Sequence, residues 1–156
     1  MSKEHHYTQT IIWTGNKGVG TLDYKSYERS HTISIQNKVD ILASSDAPFR
    51  GDITKHNPED FLLSSLSSCH MLWFLHLCAD HGIVVESYAD NPSGILTQSE
   101  SNGGKFTSVT LNPIVSLSNS SMQDKIGLMH QNAHQHCFIA NSVNFEVTIN
   151  SKVNIL

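Results

Sequence analysis

The sequence predicts an α+β domain in which an antiparallel sheet carries one long central helix and a second, shorter helix. Three observations predict it. Short runs rich in Thr, Ile and Val, separated by turns containing Gly, Asn or Pro, fill both ends of the chain. An apolar stretch from Phe61 to Asp80 is too long for a strand, and a second helical stretch runs from Met122 to about His136. The order of four strands, helix, two or three strands, helix and strand is that of helices laid against an antiparallel sheet. At 156 residues the chain has the size of one domain, 1–156, and it carries no internal repeat or low-complexity tract.

Tyr7 to Thr14 is the first strand. Gly15-Asn16-Lys17-Gly18 turns the chain, and Gly20 to Tyr24 returns as the second arm of a hairpin. His31 to Ile35 alternates polar and apolar residues, Asn37-Lys38 is a turn, and Val39 to Ala43 is the partner strand. The loop from Ser44 to His56, with Pro48 and Gly51, leads into the clearest helix start in the sequence. Asn57 caps, Pro58 takes the first helical position, and Glu59 and Asp60 place negative charge where the helix dipole favours it. The helix runs to Asp80 and Gly82 ends it. It is apolar on nearly every face yet dotted with Ser64, Ser65, Ser67 and Ser68, the pattern of a central buried helix with strands on one side and a partner helix on the other. Ile83 to Tyr88 is a strand, Asp90 to Gly94 a turn, Ile95 to Gln98 extended, and Ser101 to Gly104 another turn. Phe106 to Leu117 is one long strand or two broken at Pro113. Ser121-x-x-Asp124 resembles a capping box that opens the second helix, and Ser142 to Ile155 closes the chain as a strand.

Composition excludes several classes of function. Ten Lys and Arg against 14 Asp and Glu give a net charge of −4 with no basic stripe, so no nucleic-acid partner is expected. Only 15% of residues are charged, against about 25% in an ordinary soluble domain. A surface so poor in charge packs readily against another subunit. The longest unbroken apolar run, Met71 to Leu75, falls far short of the roughly 20 residues that span a bilayer, so no membrane association is expected. Met1 to His6 has no apolar stretch behind a basic start, and three cysteines without a CxxC point to reduced thiols and a cytoplasmic protein. No Gly-rich loop opens a helix, which leaves a nucleotide role without support.

The chemistry centres on Cys69, in the middle of the long helix on a stripe with Leu62, Leu66 and Trp73. A thiol on an apolar stripe is ordinarily a small hydrophobe, so reactivity here requires further features. Cys78 lies nine residues on, about 13.5 Å along the axis and on the opposite face, beyond the roughly 7 Å Cα separation that a disulfide spans. Any disulfide within the chain therefore includes Cys137, and Cys78 is read as structural. A reactive thiol also needs a fixed cation. The chain has two arginines, Arg29 and Arg50, both ahead of the long helix, and either could serve as a planar donor that holds a carboxylate while facing sulfur. His130, His134, His136 and Cys137 resemble a ligand cluster, but His136 points off the face shared by His130 and His134, and no second cluster has ligand spacing. No metal or other cofactor is expected.

The run His56-Asn57-Pro58-Glu59-Asp60-Phe61-Leu62-Leu63-Ser64-Ser65-Leu66-Ser67-Ser68-Cys69, followed by Ala133-His134-Gln135-His136-Cys137, resembles the OsmC/Ohr family of thiol peroxidases, on the OsmC-like branch. The Asn-Pro-Glu helix start, the cysteine ten residues after the Glu and the second cysteine 68 residues later carry the resemblance, which extends over nearly the whole chain. It implies an intertwined homodimer, with Cys69 as peroxidatic cysteine, Cys137 as resolving cysteine and Glu59 as the carboxylate that orients the arginine. It places Arg50, in the loop before the helix, on the catalytic arginine, with Arg29 as the alternative. His70 and Met71 depart from better-known members. Glu59 and Cys69 lie about 15 Å apart along one helix, beyond one salt-bridged cluster, so a site shared between protomers fits better than one built by a single chain. The implied activity is reduction of organic hydroperoxides to alcohols, with recycling by a lipoyl-type or other dithiol. Leu62, Leu66 and Trp73, together with Phe49, supply the apolar surface expected to receive the substrate. A non-enzymatic redox sensor or a small apolar ligand-binding protein on the same scaffold would share the cysteine pair.

Overall fold

The computed structural model describes residues 3–99 and 103–156. The predicted turn at Ser101-Asn102 therefore lies outside the described residues. The chain divides into two compact units, Met1–Phe61 and Leu62–Leu156.

The first unit holds an antiparallel sheet of three strands in the order β1 (Thr10–Trp13), β2 (His31–Ser34) and β3 (Ile41–Ala43). Ile11 pairs with Ile33, which pairs in turn with Ile41. The predicted strand at Gly20–Tyr24 is absent: the segment folds as turns. Asn16 Oδ1 accepts hydrogen bonds from the N–H groups of Gly18 and Gly20, at 2.8 and 2.9 Å, and Asp23 and Ser26 bond each other locally. These short side chains occupy the backbone groups a ladder would need, so β1 pairs with β2 instead. Asn37 takes the left-handed conformation (φ 64°) in the predicted turn. Every residue of β1 is exposed.

Helix α1 spans Pro58–Asp80. Asn57 Oδ1 accepts from the Asp60 N–H at 2.8 Å and Asp60 Oδ2 accepts from the Asn57 N–H at 3.1 Å, a reciprocal cap on the first turn. At the other end the Ile83 N–H reaches the Cys78 carbonyl and the Gly82 N–H that of Ala79, with Gly82 at φ +67° as the left-handed residue that closes the helix. The helix is not buried on all faces in the single chain. Its buried residues are Leu66, His70, Phe74 and Cys78, one stripe at every fourth position, while Leu72 is 63% exposed. With 23 residues and a mean hydropathy of 1.4 over 18 of them, α1 is long and apolar enough to cross a bilayer by length and composition, a property that counting unbroken apolar residues misses.

In the second unit follow β4 (Val85–Asp90), β5 (Ser93–Ser99), β6 (Gly103–Leu111), β7 (Pro113–Leu117), α2 (Ile126–His136), β8 (Glu146–Ile149) and β9 (Lys152–Ile155). They form two three-stranded sheets, β4-β7-β9 and β5-β6-β8. The β4–β7 and β5–β6 pairs are antiparallel, whereas β8 runs parallel to β6 and β9 parallel to β7. The parallel edges follow from the crossover through α2, since parallel neighbours cannot be joined by a tight turn. The Phe106–Leu117 run is two strands in different sheets. Asn112 breaks it, its N–H bound to the Asp90 carboxylate at 2.7 Å and its amide donating to the Asn91 carbonyl at 2.9 Å. The closing segment is likewise two strands, divided at Asn150-Ser151. The capping box at Ser121 is not used: Asn119 caps a 3-10 turn over Ser120–Lys125, and the α-helix proper starts at Ile126. Two apolar clusters form the core. One joins Phe74 and Cys78 to Val115, Ile126, Met129 and Ala133. The other joins Leu66 to Val109 and Leu111.

Candidate active site

Cys69 sits one position from the buried stripe of α1 and is half-buried. On α2 the buried residues Ile126, Met129, His130 and Ala133 form a stripe that ends at Cys137, which is 1% exposed and caps the helix with extended backbone (φ −67°, ψ 110°). The packing of this stripe brings the two cysteines together. Both are free thiols, and they lie close enough for one to act on the other. Burial pushes the Cys137 thiol up to about 11, and the neighbouring Cys69 thiol adds to the shift. The Ala140 N–H, 3.4 Å from Cys137 Sγ, opposes it. Cys78 is buried in the first apolar cluster, and burial alone raises it to about 11, which makes it an inert packing residue.

The histidines are spent on packing. His70 Nε2 and His130 Nδ1 share a buried hydrogen bond at 2.9 Å, and the His130 ring stacks on Phe74 with centroids 4.1 Å apart. Burial drives His70 and His130 each down to about 4, so both are neutral at pH 7. His136 stacks on Trp73. Among the described residues no group of three or more His, Cys, Asp or Glu is placed to hold a metal ion. Sequence reasoning does not find the His70–His130 pair, although a signal exists. His70 lies four residues from both Leu66 and Phe74, and His130 lies four from Ile126. A polar side chain on each of two buried stripes requires a partner.

In the first unit Arg29 and Arg50 line one cavity of about 300 Å³ together with Lys17, Lys25, Glu28 and Asp52. Four cations against two carboxylates make it an anion-attracting recess. Arg29 is locked in place: its guanidinium donates to the Tyr27 and Tyr24 carbonyls at 2.6 and 2.7 Å and lies 4.3 and 4.2 Å from the centroids of the same two rings. Arg50 is exposed and left-handed (φ 63°), held out by a 3-10 turn over Ala47–Phe49 that Asp46 caps. Gly51 behind it is obligatory, since a Cβ there would collide with the Ser45 carbonyl. Glu59 is half-buried in the first turn of α1 and, among the described residues, forms no ion pair with either arginine.

The expected apolar lining is dispersed. Leu66 is 1% exposed inside the second cluster, and Leu62 packs against that cluster. Trp73 packs against the first cluster and, with Leu72 and His76, borders an open recess of about 280 Å³. Phe49 belongs to the first unit, in the turn ahead of Arg50.

Fold and site together define a class: an α+β protein in which a mid-helix cysteine meets a second cysteine at the end of another helix. The profile of the OsmC-like proteins matches residues 51–152. An OsmC-like protein of unknown function from Vibrio cholerae O1 biovar eltor is 33% identical, with a TM-score of 0.83, covering 97% of this chain and all of that one. The chain belongs to the OsmC-like family. The organic hydroperoxide resistance protein OsmC of Legionella pneumophila (16% identity, TM-score 0.68, 97% and 99% covered) and an organic hydroperoxide resistance protein of Elizabethkingia anophelis (14%, 0.71, both chains fully covered) share the fold. Comparison with curated sequences finds no match.

Proposed function

We propose that the protein is a cysteine-based peroxidase that reduces organic hydroperoxides to alcohols. The observation that carries this reading is the proximity of the Cys69 and Cys137 thiols, close enough that Cys69 raises Cys137. The Cys69 thiolate attacks the distal peroxide oxygen, the O–O bond breaks, and the alkoxide leaves and takes up a proton as the alcohol. Cys69 is left as sulfenic acid. Cys137 then condenses with it: the S–S bond forms, the S–O bond breaks, and the hydroxide departs as water with the thiol proton. An external dithiol, lipoyl-type or other, reduces the disulfide by exchange and restores both thiols. No metal or cofactor takes part.

Arg50 stabilises the thiolate and the departing alkoxide, with Arg29 as the alternative, and Glu59 orients the guanidinium. Arg50 is favoured because, among the described residues, its side chain makes no hydrogen bond, ion pair or ring contact, whereas that of Arg29 is held by two tyrosines. The active form is a homodimer whose sites draw residues from both protomers. The exposed side chains of Ile11, Ile12, Leu42 and Leu72, each more than half accessible, support a second copy covering them. Reduced thiols suit the cytoplasm.

The test is peroxide consumption by the wild type and Cys69→Ser, with an alkyl hydroperoxide and hydrogen peroxide in parallel and a dithiol or a monothiol as reductant. Rapid turnover of the alkyl hydroperoxide that needs both Cys69 and a dithiol is the expected result. Turnover absent, or unchanged by the substitution, overturns the reading in favour of a redox-sensing or ligand-binding role.

A further inference from the structure

We infer that His70 and His130 are positioning residues whose hydrogen bond sets the register of α1 against α2 and so keeps Cys69 and Cys137 in contact. The inference rests on the two-cysteine reading above and names the part of the chain that makes it efficient. The two rings lie 4° from parallel with centroids 5.2 Å apart, while the bonded nitrogens are 2.9 Å apart. The centroid spacing exceeds the N···N distance by about the sum of the two ring radii, which is possible only when the rings lie end to end in one plane. The bond is therefore nearly linear. Elsewhere α1 and α2 meet through Phe74 and Cys78 against Ile126, Met129 and Ala133, and through ring stacking of Trp73 on His136 and of Phe74 on His130, contacts that a small slide weakens gradually. A sliding step of one residue, about 1.5 Å along either helix, changes such contacts little but breaks an in-plane hydrogen bond.

The placement ties this bond to the thiols. His70 is the next residue after Cys69, and His130 precedes Cys137 by seven residues, two helical turns, on the same buried stripe. The pair is also costly. His70 Nδ1 and His130 Nε2 are buried without a partner among the described residues. In either neutral tautomer arrangement one of those outer nitrogens is an N–H with no acceptor. Two leucines would cover the same stripes without that penalty, so the pair contributes geometry rather than stability, as buried polar residues do where they specify register. The charged and titratable groups acting on the pair are His134 from α2 and Asp90 from β4.

The experiment compares wild type, His70→Leu/His130→Leu and His70→Gln/His130→Asn in glutathione redox buffers, reading the Cys69–Cys137 disulfide by intact mass. Two protein thiols are oxidised as glutathione disulfide is reduced to two glutathiones, so no peroxide is needed and the result is independent of peroxidase activity. The Gln/Asn pair keeps the hydrogen bond, because Gln mimics the ring Nε2 position and Asn the Nδ1 position. The effective concentration of the two thiols is expected to fall at least tenfold in the leucine pair and to recover in the Gln/Asn pair. An unchanged value in the leucine pair, or no recovery in the other, overturns the inference. Should a variant fail to fold, 15N NMR of the wild-type imidazoles decides: coupling across an N–H···N bond between two histidines is expected, and its absence overturns the proposal.

Discussion

The Cys69 and Cys137 thiols are neighbours, a half-buried thiol on one helix acting on a fully buried one at the end of another. The asymmetry bears on the proposed roles. A thiol pushed up to about 11 is almost entirely protonated at pH 7, so on the peroxidase reading Cys137 would be a poor first nucleophile and a suitable second one, acting once its neighbour had become an electrophilic sulfenic acid.

Cys137→Ser is therefore expected to leave the first oxidation of Cys69 within about threefold of wild type while stopping dithiol-driven turnover by at least tenfold, a difference of about 1.4 kcal/mol in barrier. The sulfenic acid should persist long enough to be trapped by a cyclic 1,3-dione and seen by mass spectrometry. Equal loss of both steps would mean that Cys137 supports the Cys69 thiolate rather than resolving its oxidised form.

The two arginines separate by opposite effects on stability. Arg29→Ala removes two carbonyl hydrogen bonds and two cation–π contacts, a loss of about 2 kcal/mol from a partly exposed site. Arg50→Gly removes a left-handed non-glycine residue and should stabilise by up to about 1 kcal/mol. If Arg50 serves the thiol, the same change slows peroxide reduction by at least tenfold. Thermal melts and stopped-flow oxidation of both variants check this, and a fully active Arg50→Gly returns the role to Arg29.

The sequence makes the start and stop of α1 and the break just before Pro113 legible, because each rests on local chemistry. The Asn57 cap and the Gly82 stop need only neighbours within a few residues. What is not legible depends on competition or on distant partners. Gly20–Tyr24 looks like a strand until Asn16 and Asp23 claim its backbone. Residues 142–155 read as one strand because nothing in their composition marks the point at Asn150-Ser151 where the chain passes from one sheet to another. The stripe of α1 that faces the core is offset from the one through Leu62, Leu66 and Trp73. A helix with apolar residues all round has no periodicity that selects a face, and α2 makes the choice by presenting His130 to His70.

Acid should destabilise the protein through that pair. His70 and His130 are held at about 4 in the folded chain, below the ordinary histidine value of about 6.5 that the unfolded chain recovers. Below pH 6.5 the unfolded state binds protons that the folded state refuses, so stability declines from about pH 6.5 downward until the folded pair is itself protonated, at about pH 4 and below. Each histidine accounts for on the order of 3 kcal/mol over that window. Urea melts at pH 7, 5.5 and 4.5 should show the decline in wild type and a clearly smaller one in His70→Leu/His130→Leu. Equal slopes would place the acid sensitivity elsewhere.

The start of α1 offers a test free of any assumption about activity. Asn57 and Asp60 each accept from the other's N–H, so either truncation to alanine loses one bond directly and loosens the geometry of the other. Each single change should cost about 1 kcal/mol. The double change should cost clearly less than the sum, because both substitutions dismantle one reciprocal structure. Additive losses in denaturant melts would mean that the two bonds act independently. The functional consequence follows from position. Glu59 stands between the two capping residues, so fraying of the first turn releases its carboxylate, and if Glu59 orients an arginine for Cys69, Asn57→Ala should slow peroxide reduction as well as lower stability.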